Sequence, residues 1–329
     1  MIDDNEAHNF VIYIRKCREE KGISQVEMAE GNGETAYICS TRAYSNIENG
    51  KIIPRLDQII GFLKKVGKTI RDATEEMEKE EVIRFNNAVE EISKIIQKGA
   101  YDEARSAYLA LLSENYYAKG LTRYKQPLMM LDAIINKHSE EETVASNKRA
   151  LKGLKDALRL TRPELMRGSR EKLQVEIISS AHDYTLIEYQ ILCNIAELKS
   201  VLKKREHAVE IYEAILHSLE YERVDMFVRK RIDALACFNL SNILIVEGEW
   251  ARALEIIDRG LERELYFQSA RVTGKLFANK AEVYMHIGDI EKSQKMFSYA
   301  CNYFVMINEE KNAERIKKYV LKTFGVSIA

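Results

Sequence analysis

Two groups of residues have the types and spacing of side chains that bind other molecules. Arg42 and Asn46 are four positions apart, so they share one face of a helix if that segment is helical. Arginine matches O6 and N7 of guanine, and asparagine matches N6 and N7 of adenine. The second group is three asparagines, Asn194, Asn239 and Asn279, which recur in three later segments of similar pattern. Both groups indicate recognition through hydrogen bonds.

Catalytic signatures are missing from the sequence. It contains no phosphate-binding loop, no Gly-x-Ser-x-Gly and no His-Glu-x-x-His, and its six histidines are dispersed. The five cysteines include no Cys-x-x-Cys pair, which predicts reduced core thiols rather than disulfides or a zinc site. We therefore expect a protein that is not an enzyme and that needs no metal or other cofactor.

The composition is typical of a helical soluble protein. Hydrophobic residues make up 46% of the 329 residues and charged residues 31%, and there are only three prolines, so long helices are easy to form. The net charge of −1 means that any DNA binding would depend on a local surface. The acidic N-terminus predicts no signal peptide, and no apolar run approaches the roughly 20 residues of a membrane span. We expect a cytoplasmic protein without a membrane partner.

Four short helices are predicted in the first seventy residues. They cover Phe10–Gly22, a short helix through Met28 and Ala29, Thr41–Glu48, and the amphipathic segment after Pro54. Ser24 and Glu27 have the spacing of a capping box at the second helix, and Ser40 is placed to cap the third. Asn49-Gly50 ends the third helix.

These motifs resemble the phage-repressor (Cro-like, xenobiotic-response-element) helix-turn-helix. The resemblance is carried by Ile23-Ser24-Gln25, Met28-Ala29, Ile47-Glu48-Asn49-Gly50 and Pro54. It implies a DNA-binding domain in which Gln25 touches backbone phosphate and Thr41, Arg42 and Asn46 face base edges in the major groove. Tyr44 or Ser45 would touch the flanking backbone, and the helix N-terminus capped by Ser40 would favour a phosphate.

One departure from this pattern lies between the second and third helices. The segment Glu30–Cys39 is longer than in the helix-turn-helix family and contains two glycines. We expect Glu30 and Glu34 to repel DNA phosphate, and we expect this insertion to influence where the third helix sits.

Four later segments resemble the turn that leads into the second helix of a tetratricopeptide repeat. They are Gly99–Ala104, Lys203–Ala208, Gly248–Ala253 and Gly288–Ser293. In the last three, another small residue stands twelve positions before the final one, which lets the two helices of a repeat cross closely; these residues are Ala196, Ser241 and Ala281. Ile92 breaks this rule in the first segment, so that repeat is atypical. Degenerate repeats are predicted around Leu128–Ile135 and Ala145–Leu160, and a capping helix over Asn312–Phe324.

A helix-turn-helix followed by such repeats resembles the RRNPP family of Gram-positive bacteria and their phages. The resemblance implies an all-α protein with a DNA-binding domain at residues 1–72 and a tetratricopeptide-like α-solenoid at residues 73–329. It also implies a homodimer that binds a double-stranded DNA operator. A short signalling peptide would bind in the concave groove of the repeats and change DNA affinity or dimer geometry.

The recurring asparagines supply the residues for such a groove. Three positions after each comes a further polar residue on the same helix face, which gives the pairs Asn194 and Glu197, Asn239 and Asn242, and Asn279 and Glu282. Asparagine amides match the backbone of an extended peptide, and Phe238 could hold a side chain. Because two of the six are acidic, we expect a mostly apolar ligand of roughly five to ten residues with an amino terminus or basic side chain near a glutamate. The alternative is that these asparagines only bond between repeats.

Two other functions remain open at this stage. The repeats could bind a protein partner instead of a peptide, or the chain could modulate a phospho-relay by binding a response regulator. A neighbouring small open reading frame with a secretion signal and an apolar tail would favour the peptide hypothesis.

Overall fold

A computed structural model describes residues 4–31, 36–114, 116–139, 143–166, 175, 178, 184–221, 224–268 and 272–325. Within these ranges the regular structure is helical and contains no strand, so the predicted all-α class is confirmed. The chain divides into two compact units, residues 1–90 and residues 91–329. The boundary falls inside a long helix, whereas the domain boundary at residue 72 stays a prediction from the sequence.

The first unit contains four short helices and the start of a fifth. They are α1 (Asp4–Glu20), α2 (Gln25–Glu30), α3 (Thr41–Glu48), α4 (Leu56–Lys65) and α5 (Ile70–Gln97), the last of which continues into the second unit. Both predicted caps form: Ser24 and Glu27 make a reciprocal capping box at α2, and the Ser40 hydroxyl accepts the Ala43 N–H at 3.3 Å at α3. The caps explain why two short helices begin where they do. Their apolar faces meet in one core that includes Ile14, Met28 and Phe62.

The second unit is a series of helical hairpins. Its helices are α6 (Tyr101–Ser113), α7 (Thr122–Ser139), α8 (Val144–Arg159), α9 (Leu186–Val201), α10 (Arg205–Ser218), α11 (Met226–Glu247), α12 (Trp250–Tyr266), α13 (Thr273–His286), α14 (Ile290–Met306) and α15 (Glu310–Phe324), with a short 3-10 helix at Pro163–Met166. Successive helices pack as the antiparallel pairs α7/α8, α9/α10, α11/α12 and α13/α14, and α15 covers α14. The predicted solenoid and its capping helix are confirmed.

The hairpin turns follow the predicted repeat motif. Gly99, Gly248 and Gly288 lie at the turns before α6, α12 and α14, each with a positive φ, and Lys203 takes the same left-handed conformation before α10 with φ 60°. The small residues twelve positions apart are completely buried, and the Ser293 hydroxyl donates to the Ala281 carbonyl at 2.8 Å. The close crossing within each of the last three hairpins therefore depends on small side chains.

A buried carboxylate also joins α11 to α12. Asp233 on α11 accepts contacts from the Nε atoms of Arg259 at 3.5 Å and Arg263 at 3.2 Å. Burial raises the pKa of Asp233, and the two guanidinium groups oppose that rise. This cluster fixes α11, the helix that carries Phe238 and Asn239.

Two kinds of feature are absent from the described residues, namely membrane-spanning helices and clusters of metal ligands. None of their helices combines the length and the apolar character needed to cross a bilayer. The same residues contain no group of three or more histidine, cysteine, aspartate or glutamate side chains placed to hold a metal ion. All five cysteines are buried.

Candidate functional site

The outer face of α3 presents two side chains of the predicted DNA-contact set. Arg42 is exposed and Asn46 is half-buried, and neither side chain has a hydrogen-bond partner among the described residues. They lie one turn apart, as their spacing predicts. The structure therefore leaves both side chains available to a partner. Whether they bind bases stays a prediction.

Glu30 occupies the N-terminus of α3. Its Oε1 accepts the Thr41 backbone N–H at 3.0 Å and the Thr41 hydroxyl at 2.8 Å. These two bonds lower the pKa of Glu30. The inserted segment is thus anchored to the start of α3 at one end, and the Thr41 hydroxyl is already engaged. Glu34 and the rest of residues 32–35 lie outside the described residues.

A buried polar network joins the first three helices of this unit. Glu48 of α3 accepts Arg18 Nε at 2.7 Å and Arg18 Nη2 at 3.3 Å from α1, and Gln25 Nε2 at 2.6 Å from α2. The Glu48 side chain is only 3% exposed. Burial opposes its ionisation, but the hydrogen bonds from Arg18 and Gln25 outweigh burial, so the pKa of Glu48 is lowered. Gln25, predicted to touch phosphate, uses its amide N–H here to position α3.

Tyr44 is not on the surface that was predicted for it. Its side chain is 1% exposed, and its ring centroid lies 4.8 Å from that of Phe62 in an edge-to-face contact. Burial and the neighbouring Glu48 raise its pKa. The assignment of Tyr44 to the DNA backbone is therefore wrong, because α3 turns Tyr44 and Ile47 toward the core. Ser45 is half-buried, and its carbonyl accepts Asn49 Nδ2 at 2.7 Å, so its DNA contact stays a prediction.

The second unit contains a cavity of about 340 Å³. The helices α5 to α9, α11 and α13 contribute its wall, together with one residue of α12 and one that precedes α13. Four of the residues predicted to bind peptide line it, namely Asn194, Glu197, Phe238 and Asn239. The Asn194 side-chain amide donates to the Gln190 carbonyl at 2.8 Å. Two of the three recurring asparagines, Asn194 and Asn239, therefore line one cavity.

The other three predicted residues lie outside this cavity. Asn279 is 7% exposed and donates to Ser241 Oγ at 2.9 Å and to Asn242 Oδ1 at 2.7 Å. Glu282 accepts the Tyr319 hydroxyl at 2.9 Å. For Asn242 and Asn279 the prediction of a groove position is wrong and the alternative is right: they bond between repeats. The reason is that the face of α13 that carries Asn279 packs against α11.

The described residues that line the cavity carry charges of both signs. Its charged lining residues are the cations Lys137, Lys230, Arg231 and Lys275 and the carboxylates Glu197 and Glu264. Lys137 Nζ donates to Glu197 at 3.0 Å. Glu264 accepts the Val272 N–H at 3.1 Å and the Thr273 hydroxyl at 2.8 Å. Among the described residues that line the cavity there are thus four cations and two carboxylates, and the acidic groove expected from Glu197 and Glu282 stays a prediction.

One side of the cavity consists of residues that the sequence did not predict to be there. Tyr101, Met130, Leu154 and His138 line it, and the rings of Tyr101 and His138 stack with centroids 4.0 Å apart. These residues belong to the hairpins whose repeat motif is weak, so nothing in the local pattern assigns them to the inner face. The one signal in the sequence that could have indicated these residues is the regular order of the hairpins, which places α7 next to α9.

Two family models match the chain. The model of the RNPP family C-terminal domain matches residues 157–318, and a helix-turn-helix model matches residues 14–72. The chain belongs to the RNPP family. The resemblance found in the sequence is thereby confirmed for the fold and for the order of the two domains. The first match contains α9, α11 and α13 of the cavity wall, and the second contains all of α2 and α3.

Solved structures of other proteins share this fold along their whole length. PlcR of Bacillus thuringiensis in complex with the peptide PapR7 and DNA is 17% identical, with a TM-score of 0.57 over 94% of this chain and 99% of that chain. The apo form of the same PlcR is 15% identical, with a TM-score of 0.63 over 92% and 97%. The apo competence regulator ComR of Streptococcus vestibularis is 13% identical, with a TM-score of 0.53 over 96% and 98%. A search of curated protein sequences finds no match.

Proposed function

We propose that this protein is a DNA-binding transcription regulator controlled by a short signalling peptide that binds in the cavity of its repeat unit. One observation carries the proposal: the cavity is walled by Asn194 and Asn239 within the segment that matches the RNPP C-terminal domain. The PlcR structure contains both a peptide and DNA, which supports the same pair of partners for this chain. A cytoplasmic location follows from this function.

The shape of the cavity supports a small ligand over a protein partner. Its 340 Å³ lies in the range of small-ligand pockets, about 300–1,000 Å³. A peptide buried there must satisfy its backbone N–H and C=O groups. The amides of Asn194 and Asn239 offer donors and acceptors for that purpose without demanding a particular sequence.

The α3 surface supports the DNA-binding half of the proposal. Arg42 and Asn46 project from a helix whose position is fixed by the Glu48 network and whose N-terminus is capped by Ser40. A single unit of this type reads one half-site, so we propose a homodimer on a symmetric operator. Sedimentation of the full chain at micromolar concentration should show a dimer, and a monomer with and without DNA would contradict this part.

The test uses selection from a random double-stranded DNA library by the full chain. We expect a palindromic consensus. Arg42→Ala should weaken binding to that consensus by about 1–3 kcal/mol and relax one position in each half-site. Arg315→Ala, an exposed arginine on α15, serves as the matched control and should change neither. Failure to enrich any sequence, or unchanged affinity and consensus in Arg42→Ala, would contradict the proposed DNA contacts.

A further inference from the structure

A buried tyrosine lies directly behind the wall of the cavity. Tyr212 of α10 is completely buried and is not itself one of the residues that line the cavity. Its hydroxyl donates to the carbonyl oxygen of Cys193 at 2.9 Å. The same hydroxyl oxygen accepts a hydrogen bond from the side chain of Asn239. Tyr212 therefore connects two residues that do line the cavity, one on α9 and one on α11.

The Asn239 side chain is the donor in the second of these bonds. Burial raises the pKa of Tyr212 well above its ordinary value, and the bond with Asn239 opposes that rise, as a hydrogen bond donated to the phenolic oxygen does. Because Tyr212 is buried, water cannot replace a partner that its hydroxyl loses. The Asn239 amide is therefore held by its nitrogen.

The packing of the repeats does not by itself require this hydroxyl. Tyr212 is four positions after the small residue Ala208, and the equivalent positions in the next two hairpins are Ile257 and Phe297. Both side chains are buried, as Tyr212 is. Since isoleucine and phenylalanine fill this position without a hydroxyl, packing alone does not account for the hydroxyl of Tyr212.

The same position distinguishes Asn239 from Asn279, which is its equivalent in the next hairpin. The hairpin before Asn239 carries the Tyr212 hydroxyl, whereas the hairpin before Asn279 has Ile257 in its place. Asn279 donates instead to polar side chains of α11. The asparagine that lines the cavity is thus the one that has a tyrosine hydroxyl behind it.

We propose that Tyr212 is a positioning residue: it holds the Asn239 amide by its nitrogen, so that the carbonyl oxygen of Asn239 faces the cavity and accepts a backbone N–H of the bound peptide. The nitrogen and the oxygen of a side-chain amide lie on opposite sides of its carbon atom, so a bond that holds one fixes the direction of the other. This inference rests on the proposed function, because it specifies how the same cavity binds its ligand. Tyr212 touches no ligand and acts through Asn239.

The experiment measures the affinity of the full-length protein for a hexapeptide that it selects from a random hexapeptide library. Tyr212→Phe removes the hydroxyl and keeps the ring, and the equivalent position 297 is already a phenylalanine. We expect calorimetry to show binding weaker by about two- to tenfold, which corresponds to one hydrogen bond. The matched control is Tyr189→Phe, because Tyr189 is equally buried and its hydroxyl lies 3.0 Å from Ser218 Oγ, but neither of these residues lines the cavity. The control should leave the affinity unchanged.

Two further measurements separate positioning from a general loss of packing. When Tyr212→Phe is added to Asn239→Ala, it should weaken binding no further, because no amide remains to be oriented. The second measurement replaces each backbone amide of the selected hexapeptide in turn by an ester, which lacks the N–H. One replacement should weaken binding to the wild type and have little effect on binding to Asn239→Ala.

The outcomes distinguish this inference from the proposed function. Wild-type affinity in Tyr212→Phe, an equal loss in Tyr189→Phe, or a further loss when Tyr212→Phe is added to Asn239→Ala would overturn the inference and leave the proposed function standing. An ester series in which no replacement distinguishes the wild type from Asn239→Ala would do the same. If the full-length protein selects no hexapeptide, the proposed peptide binding fails and this inference fails with it.

Discussion

The α3 surface is carried by one helix that a buried ion pair holds in place, whereas the wall of the cavity is held by close contacts between small side chains and by the Asp233 cluster, spread over several hairpins. On α3, the Glu48–Arg18 pair and the Gln25 amide tie three helices together, and the side chains proposed to bind DNA project from a single helix. In the repeat unit, the described residues that line one cavity come from eight helices and from positions as far apart as Ser93 and Lys275.

Because of this difference, regular spacing in the sequence predicts which side chains lie together on one helix better than it predicts which side chains lie together across repeats. On a single helix, positions i and i+4 share a face whatever packs behind them, so Arg42 and Asn46 emerge together. Across repeats, equal register does not guarantee an equal environment. Asn239 lines the cavity, but Asn279 is buried against Ser241 and Asn242. Sites made by stacking are therefore sensitive to small changes in the angle between hairpins.

The largest effect is expected from Glu48→Ala. It leaves Arg18 without its buried partner, so the unfolding free energy of the first unit should fall by about 3–5 kcal/mol. Hydrogen exchange of residues 4–65, followed by mass spectrometry, measures the change. Glu78→Ala, at an exposed position on α5, is the control and should have no effect. A loss no larger than that of Glu78→Ala would show that the ion pair does not hold α3.

The same pair gives the first unit a pH dependence. The folded-state pKa of Glu48 is lowered, so its contribution to stability is complete above the unfolded value of about 4.3 and is lost as pH falls through the folded value. In Glu48→Gln, hydrogen exchange of residues 4–65 should show a smaller acid-induced loss than in the wild type. Equal losses would assign the acid sensitivity to other groups.

A pair of asparagine variants tests the repeat side of the comparison. Asn279→Ala removes the bonds to Ser241 and Asn242 and should lower the unfolding free energy of the second unit by about 1–3 kcal/mol without changing peptide affinity. Asn239→Ala should instead reduce affinity about tenfold and leave the melting temperature almost unchanged. Calorimetry uses a peptide selected from a random hexapeptide library by the full-length protein. If both variants behave alike, cavity and inter-repeat asparagines do not differ in role.

Gly260→Ala tests the close packing behind the cavity wall. An added Cβ would lie 2.9 Å from Cys237 Cβ on α11 and 3.0 Å from Leu276 Cδ1 on α13. Overpacking should cost about 1–3 kcal/mol, which exceeds the gain in helix propensity of about 1 kcal/mol. Gly153→Ala on α8, where the nearest atom is Ala133 Cβ at 3.2 Å, should cost less. Thermal unfolding of both variants decides between tight and tolerant packing at Gly260.

The smallest effect is expected at the anchored end of the insertion. Glu30→Gln keeps an acceptor for Thr41 but removes a negative charge from the surface that is proposed to face DNA. We expect affinity for the selected operator to rise by about 0.3–1 kcal/mol, with a greater gain at low salt. Glu78→Gln is the control. A weaker complex would mean that the charge on Glu30 is needed to position α3.

The sequence by itself determined the helix-turn-helix, the repeat turns and the availability of Arg42 and Asn46, because capping boxes, turn residues and helical spacing act over a few residues. It did not place Tyr44, whose burial depends on which face of α3 meets Phe62. It also did not separate Asn239 from Asn279. Only the tertiary structure decided that α13 buries its asparagine and that Tyr101 and Lys275 line the same cavity as Asn239, since side chains distant in sequence meet only after the hairpins stack.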